Sequence, residues 1–221
     1  MNNHKIVLPA YGDHNEWSPR LGTFLKHLRK HEPDREVMLI SDGRSNWPDS
    51  ALHGLEMWEV PAANDVPTYS YLNMSGILLA HAAINLSPCL VMTLDCEVKR
   101  PIEWGEWTKS DIAFGRDRPP ERVRHIAGEA FTEFSVAVGW FLCALPGYAF
   151  LRDWVKHGEE GNAINCNFWE QTVWSYTWLC YDPARRAVYP EEMNWSHTVR
   201  GGNPIVVHYH GLGAKERFDQ L

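Results

Sequence analysis

The chain has 221 residues and a hydrophobic content of 44%, which is enough for a real core and too high for a disordered protein. Its formal net charge of -7 leaves the chain as a whole without the electrostatic footprint of a DNA- or RNA-binding protein. None of its five cysteines forms a C-x-x-C pair, which argues against a disulfide framework or a structural zinc site. The sequence shows neither an apolar signal region nor about 20 consecutive apolar residues, so we expect no membrane span and a cytoplasmic location.

Strands and helices alternate through the first half of the chain. Short apolar runs predict strands over residues 5–11, 36–43, 57–60 and 89–98. A helix is predicted to begin near Ser18, which can cap it, with Pro19 in its first turn. Apolar periodicity predicts another helix over 71–85. This order predicts an α/β fold, with a central, mostly parallel sheet flanked by helices.

The second half has a different character. Its predicted strands cover 111–114, 134–145 and 204–209, and its predicted helices cover 148–157 and 168–179. The polar segment 115–130 is predicted to be a loop between the first two of these strands. Because we find no repeat and no linker, we predict one domain over 1–221, with halves at 1–100 and 101–221.

Two carboxylates, Asp95 and Glu97, follow the apolar run 90–94. Buried carboxylates are tolerated when they are paired, hydrogen-bonded or bound to a metal, and open α/β sheets bind ligands at the carboxyl ends of their strands. Hard oxygen ligands suit Mg²⁺ or Mn²⁺, and such an ion commonly bridges to phosphate oxygens. The pair therefore predicts a metal site, and the alternative is a strand that ends in polar surface residues.

A second informative segment lies near the end of the chain, where a predicted strand delivers His208 and is followed by Gly211, Gly213 and Lys215. An imidazole can complete a coordination sphere that carboxylates begin, particularly for manganese. Glycines let main-chain N–H groups approach phosphate oxygens, and a lysine adds positive charge. The alternative is a strand end with a glycine turn and exposed histidines.

Together, the acidic pair and the His-aromatic-x-Gly segment with its lysine resemble the GT-A nucleotide-sugar glycosyltransferases, especially the glycogenin-like and galactosyltransferase-like branch. The resemblance implies a Rossmann-like domain whose first half binds the nucleotide sugar and whose second half faces the acceptor. It also implies that Asp95, Glu97 and His208 hold Mn²⁺ or Mg²⁺. The donor would be a nucleoside-diphosphate sugar, with a UDP-sugar favoured, and Lys215 would contact its diphosphate.

The resemblance assigns further roles along the chain. Glu170 would be the base of an inverting enzyme, whereas Gln171 would lie near the anomeric centre of a retaining one. Asn73 would stand where the family commonly carries a basic residue. The positions expected to bind the donor are Pro9, Ala10, Tyr11, Asp42, Asn73, Gly211, Gly213 and Lys215.

The sequence departs from the family pattern in its two central motifs. Asp95-x-Glu97 stands where D-x-D is usual, one extra residue precedes Lys215, and Glu216-Arg217 replaces Pro-Trp. Arg217 therefore competes with Lys215 for the diphosphate contact.

Two other functions stay open. A non-catalytic module with a degenerate site, binding a sugar nucleotide or a carbohydrate, would be compatible with these departures. A nucleotidyltransferase ranks lower, because the segment 9–13 contains one glycine and lacks the basic residue usual in that class.

The acidic balance suits a glycan or protein hydroxyl as the acceptor. A modified base in DNA is the alternative, through the arginine-rich segment 116–124, although a basic run interleaved with acids is more often a solvated loop.

Overall fold

The computed structural model of the protein describes residues 4–10, 14–42, 47–52, 55–60, 88–114, 122–126, 129–133, 140–142, 144–162, 170–193, 195–196, 201–209, 217–218 and 221. The strands in these ranges are β1 Lys5–Pro9, β2 Val37–Asp42, β3 Glu56–Val60, β4 Cys89–Val91, β5 Cys96–Val98, β6 Ile112–Phe114, β7 Arg122–Ile126, β8 Glu129–Glu133, β9 Trp140–Leu142, β10 Arg186–Val188, β11 Trp195–Ser196 and β12 Val206–His208. The α-helices are α1 His14–His31, α2 Asp49–Leu52, α3 Ala144–Asn162 and α4 Glu170–Cys180, and short 3-10 helices cover Glu106–Lys109, Pro183–Arg185 and Glu191–Met193.

Seven strands form the central sheet, in the order β10-β6-β9-β4-β1-β2-β3. Neighbouring strands are parallel except where β9 runs antiparallel to β4 and β6. The α/β class and the mostly parallel sheet predicted from the sequence are thus confirmed. The strand order reverses between β1 and β4, which creates the kind of switch point where doubly wound sheets bind ligands.

Side chains alternate between the two faces along each strand, and the buried strands are apolar on both faces. Helices therefore cover both faces of this sheet. Ile6 of β1 belongs to a core cluster that includes Phe24 of α1. The next residue, Val7, belongs to a second cluster with Trp154 of α3 and Trp174 of α4. The rings of Trp154 and Trp174 meet edge to face, with centroids 5.0 Å apart. The helix α1 therefore packs on one face, and α3 and α4 pack on the other.

The run 89–98, predicted as one strand, forms two strands that belong to different sheets. The first strand, β4, lies in the central sheet, whereas β5 pairs with β12 in a three-stranded sheet of order β11-β12-β5. A turn at Leu94 and Asp95 separates them. Hydrophobic periodicity could not reveal the break, because both strands and the residues between them are largely buried.

Part of the segment 115–130, predicted as a loop, forms a β-hairpin. The strands β7 and β8 pair antiparallel, with Arg122 opposite Glu133 and Ile126 opposite Glu129. Arg122 and Arg124 of the basic segment therefore belong to β7 and not to a loop. Arg116 and Arg118, like the helix predicted over 71–85, lie outside the described residues.

Two helices begin earlier than the sequence predicts. The helix α1 begins at His14, so Pro19 lies inside it and removes one main-chain hydrogen bond near its start. The helix α3 begins at Ala144, within the segment predicted as a strand over 134–145. Pro146 fits there because the first turn of a helix needs no N–H donor at that position.

The turn before β12 yields a matched pair of predictions. Gly201 and Gly202 have φ values of 85° and 80°, which disfavour any residue with a Cβ. A Cβ on Gly201 meets open space, whereas one on Gly202 would lie 2.6 Å from the Trp195 ring. We expect Gly201→Ala to lower the free energy of unfolding by about 1 kcal/mol, and Gly202→Ala by about 2 to 4 kcal/mol. Urea unfolding followed by circular dichroism measures both, and equal losses would contradict the close contact.

Candidate functional site

The candidate site lies at the carboxyl edge of the central sheet, beside the switch point between β1 and β4. Pro9 is the last residue of β1, buried Ala10 follows it, and Asp42 ends the adjacent strand β2. The main-chain N–H of Ala10 donates to the carbonyl of Ile40, 2.8 Å away, and so fixes the chain as it leaves β1. Three predicted donor-binding positions therefore share one edge of the sheet.

Asp95 and His208 meet at this edge. The distance from Nε2 of His208 to Oδ1 of Asp95 is 3.2 Å, and the two residues are only 8% and 6% exposed. Asp95 comes from the turn before β5, and His208 ends β12, which pairs with β5. The N–H of Tyr209 donates to the carbonyl of Asp95, 3.0 Å away, and extends that pairing to the carboxylate-bearing residue.

The carboxylate of Glu97 contacts other groups. Nζ of Lys99 donates to its Oε1 at 2.6 Å, and the hydroxyl of Tyr209 donates to its Oε2 at 2.8 Å. Nδ1 of His27, from α1, lies 3.4 Å from the same Oε1. Glu97 is 2% exposed, so these contacts satisfy a buried charge.

The pKa values of His27 and Tyr209 indicate the protonation state in which each contacts Glu97. Burial lowers the pKa of His27, although the charge of Glu97 acts in the opposite direction. The lowered pKa favours the neutral form of the His27 imidazole in this contact. Burial, followed by the hydrogen bond to Glu97, raises the pKa of Tyr209 above its ordinary value. The phenol therefore keeps its proton and donates a hydrogen bond to the carboxylate.

The chemistry of the donors decides whether a divalent ion fits. A buried carboxylate from a turn and an imidazole from the end of a strand suit Mn²⁺ or Mg²⁺, so Asp95 and His208 fit. Glu97 does not complete the set, because its two oxygens face Tyr209 and Lys99. Within the described residues, no group of three His, Cys, Asp or Glu side chains is placed to hold a metal ion.

Some of the other predicted site residues lie in the described part of the chain, and the rest lie outside it. Glu170 and Gln171 are the first two residues of α4. Exposed Arg217, the rival of Lys215, precedes Phe218, which is fully buried. The predicted donor-binding positions outside the described residues are Tyr11, Asn73, Gly211, Gly213 and Lys215.

The described residues that follow β12 contact α1 and the core around it. The rings of Tyr209 and Phe218 have centroids 5.4 Å apart, and Phe218 belongs to the same core cluster as α1. Nζ of Lys26, on α1, donates to the carbonyl of Leu221 at 2.6 Å. These contacts connect Tyr209, Phe218 and Leu221 to α1 and to the core cluster that contains its residues.

Sequence reasoning missed three partners of Glu97. Lys99 could have been predicted from the sequence, because residues two apart in an extended chain share a face. Tyr209 required the register of β5 against β12, which no local pattern contains. His27 lies on a helix far away in the chain, and nothing in the sequence connects it to Glu97.

No protein-family model matches this chain, and no curated protein sequence matches it significantly. Among the helices in the described part of the chain, none has both the length and the apolar character needed to cross a membrane.

The contact between Asp95 and His208 predicts a measurable cost without metal. Asp95→Ala removes the carboxylate that faces the buried Nε2 of His208, so we expect the free energy of unfolding to fall by about 1 to 3 kcal/mol. Asp34→Ala is the matched control, because Asp34 is exposed and should change that energy by less than about 0.5 kcal/mol. Urea unfolding in the presence of a chelator measures both. Equal stability of the two variants would show that the contact contributes nothing.

Proposed function

We propose that the protein is a metal-dependent glycosyltransferase of the GT-A type, which moves a sugar from a nucleoside-diphosphate sugar to an acceptor hydroxyl. The observation that carries this proposal is the buried pair of Asp95 and His208, which lies at the carboxyl edge beside the switch point of a mostly parallel sheet. The proposal treats 1–221 as one domain, in which 1–100 bind the donor and 101–221 face the acceptor.

The sheet supports a nucleotide at this edge. In doubly wound folds, nucleotides lie across the switch point, and an acidic residue accepts hydrogen bonds from the ribose. Asp42, at the end of β2, is the acidic residue that this proposal assigns to the ribose. Pro9 and Ala10 are assigned to the base and ribose, and a UDP-sugar remains the favoured donor.

Asp95 and His208 would hold Mn²⁺ or Mg²⁺, which when bound would offset the charge that develops on the departing nucleoside diphosphate. The chain's own contribution is orientation. The hydrogen bond from Tyr209 to the carbonyl of Asp95 holds the two ligands together before any donor arrives. Glu170 as a base, or Gln171 near the anomeric centre, stays a prediction of the family resemblance.

The position of the hairpin supports an acceptor role for the second half. Trp140, at the start of β9, lies opposite Val91 and Phe114, which end β4 and β6. The chain from β6 to β9, including β7 and β8, therefore leaves and re-enters the sheet at the site edge. We propose a glycan or a protein hydroxyl as the acceptor, with a DNA base, contacted through the arginine-rich segment 116–124, as the alternative.

A second function is favoured by a different observation. Glu97 is already bound to Tyr209 and Lys99, and the described residues offer no third ligand beside Asp95 and His208. A binding module for sugar nucleotides or carbohydrates needs no such ligand. In that case the contact between Asp95 and His208 would be structural.

Release of nucleoside diphosphate separates these functions. We expect the protein, with Mn²⁺ and one of a panel of nucleotide sugars, to release nucleoside diphosphate slowly. Asp95→Ala and His208→Ala should each lower the rate by about a hundredfold or more, because each removes a ligand of the ion. Asp34→Ala should keep the wild-type rate.

Three other outcomes would contradict the proposed metal-dependent transferase or its assigned ligands. Binding of a donor by calorimetry without release, even with glycan, protein and DNA acceptors present, would support the binding module. Equal rates for the wild type and Asp95→Ala would show that Asp95 is not a ligand of the ion. Consumption of pyrophosphate with a nucleotide sugar would indicate a nucleotidyltransferase instead.

A further inference from the structure

We propose that Glu97 is a positioning residue that fixes Tyr209, and through it His208, and that Glu97 does not bind the metal ion. This inference rests on the proposed function, because it assigns a role within the same site. It replaces the role that the D-x-E spacing predicted for Glu97.

The register of the small sheet places Glu97 and His208 on opposite faces. In the antiparallel pair of β5 and β12, Val207 lies opposite Glu97, and His208 lies opposite Cys96. Side chains of directly opposed residues share a face, and successive side chains alternate between the faces. His208 therefore shares a face with Cys96, whereas Glu97 shares the other with Val207.

Asp95 escapes this alternation because it precedes β5 and lies in the turn. A regular strand would place Asp95 and Glu97 on the same face. The turn instead directs the carboxylate of Asp95 to His208, 3.2 Å away. The two acids are neighbours in sequence and serve different partners in the structure.

Tyr209 is held at two points by this acidic segment. Its main-chain N–H donates to the carbonyl of Asp95 at 3.0 Å, and its hydroxyl donates to Glu97 at 2.8 Å. Its ring also packs against that of buried Phe218. Tyr209 directly follows His208, so these contacts fix the end of β12 and hold the imidazole beside Asp95.

The charge of Glu97 is balanced without a metal. Lys99 lies 2.6 Å from Oε1, and a buried carboxylate is stable when it is both paired and hydrogen-bonded. To reach the other face, Glu97 would have to leave both Lys99 and Tyr209. Removing one partner from a buried polar network leaves groups unsatisfied, which disfavours such a change.

The affinity for Mn²⁺ distinguishes positioning from ligation. Free Mn²⁺ is measured by electron paramagnetic resonance during titration of the wild type, Glu97→Gln, Glu97→Ala, Tyr209→Phe and the double variant Glu97→Ala/Tyr209→Phe. Glu97→Gln keeps an oxygen that can accept from Tyr209, so we expect its dissociation constant to stay within about threefold of the wild type. Glu97→Ala and Tyr209→Phe should each weaken Mn²⁺ binding by about tenfold. The dissociation constant of the double variant should be no larger than that of whichever single variant binds Mn²⁺ more weakly.

Ligation by Glu97 would give a different pattern. Glu97→Gln would then weaken Mn²⁺ binding as strongly as Glu97→Ala, by about a hundredfold, because either change removes a charged ligand. Tyr209→Phe would leave the affinity near that of the wild type, and the effects of the two sites would add. Any of these results would overturn the proposal.

If the wild type binds no Mn²⁺, the proposed function loses its metal ion. Thermal unfolding in a chelator then tests the contact between Glu97 and Tyr209 independently of any metal. The positioning contact predicts that the double variant lowers Tm no more than the more destabilised single variant. Additive losses of Tm would show that Glu97 and Tyr209 act independently, and would overturn the inference by themselves.

Discussion

The antiparallel pairing of β5 with β12 is the constraint on which the candidate site depends. It joins a segment that leaves the central sheet after β4 to a strand from the far end of the chain. Neither Asp95 nor His208 belongs to the seven-stranded sheet, so this pairing is what places them next to each other. The main-chain hydrogen bond from Tyr209 to Asp95 makes the acidic turn part of the same small sheet.

Local sequence patterns located most strands of the central sheet but not β10, and they located β12 without revealing the small sheet to which it belongs. Short apolar runs located β1, β2 and β4, because each of these strands consists mainly of buried apolar residues. The same signal could not divide 89–98, since a buried strand and a buried turn have similar composition. The hairpin was missed for the opposite reason: its alternating polar residues look like a solvated loop when the partner strand is unknown.

The site shows the same limit at the level of single residues. The sequence identified Asp95 and His208, and the structure brings them together. The spacing of Asp95 and Glu97 suggested a shared role, which assumes that both lie in one regular strand. One turn at Asp95 removes that assumption, and the register of β5 and β12 then decides which face each acid serves. Turn position and long-range register are tertiary properties that a local pattern does not contain.

The contact between Tyr209 and Phe218 joins two residues that are nine positions apart in the sequence. Phe218 belongs to the core cluster that contains residues of α1, and Tyr209 packs against that cluster, so the contact forms when the protein folds. The entropy of bringing these two positions together is therefore lost during folding and not during association with a ligand. Tyr209 would need no further ordering when a ligand binds beside His208, so more of the contact energy would remain as affinity.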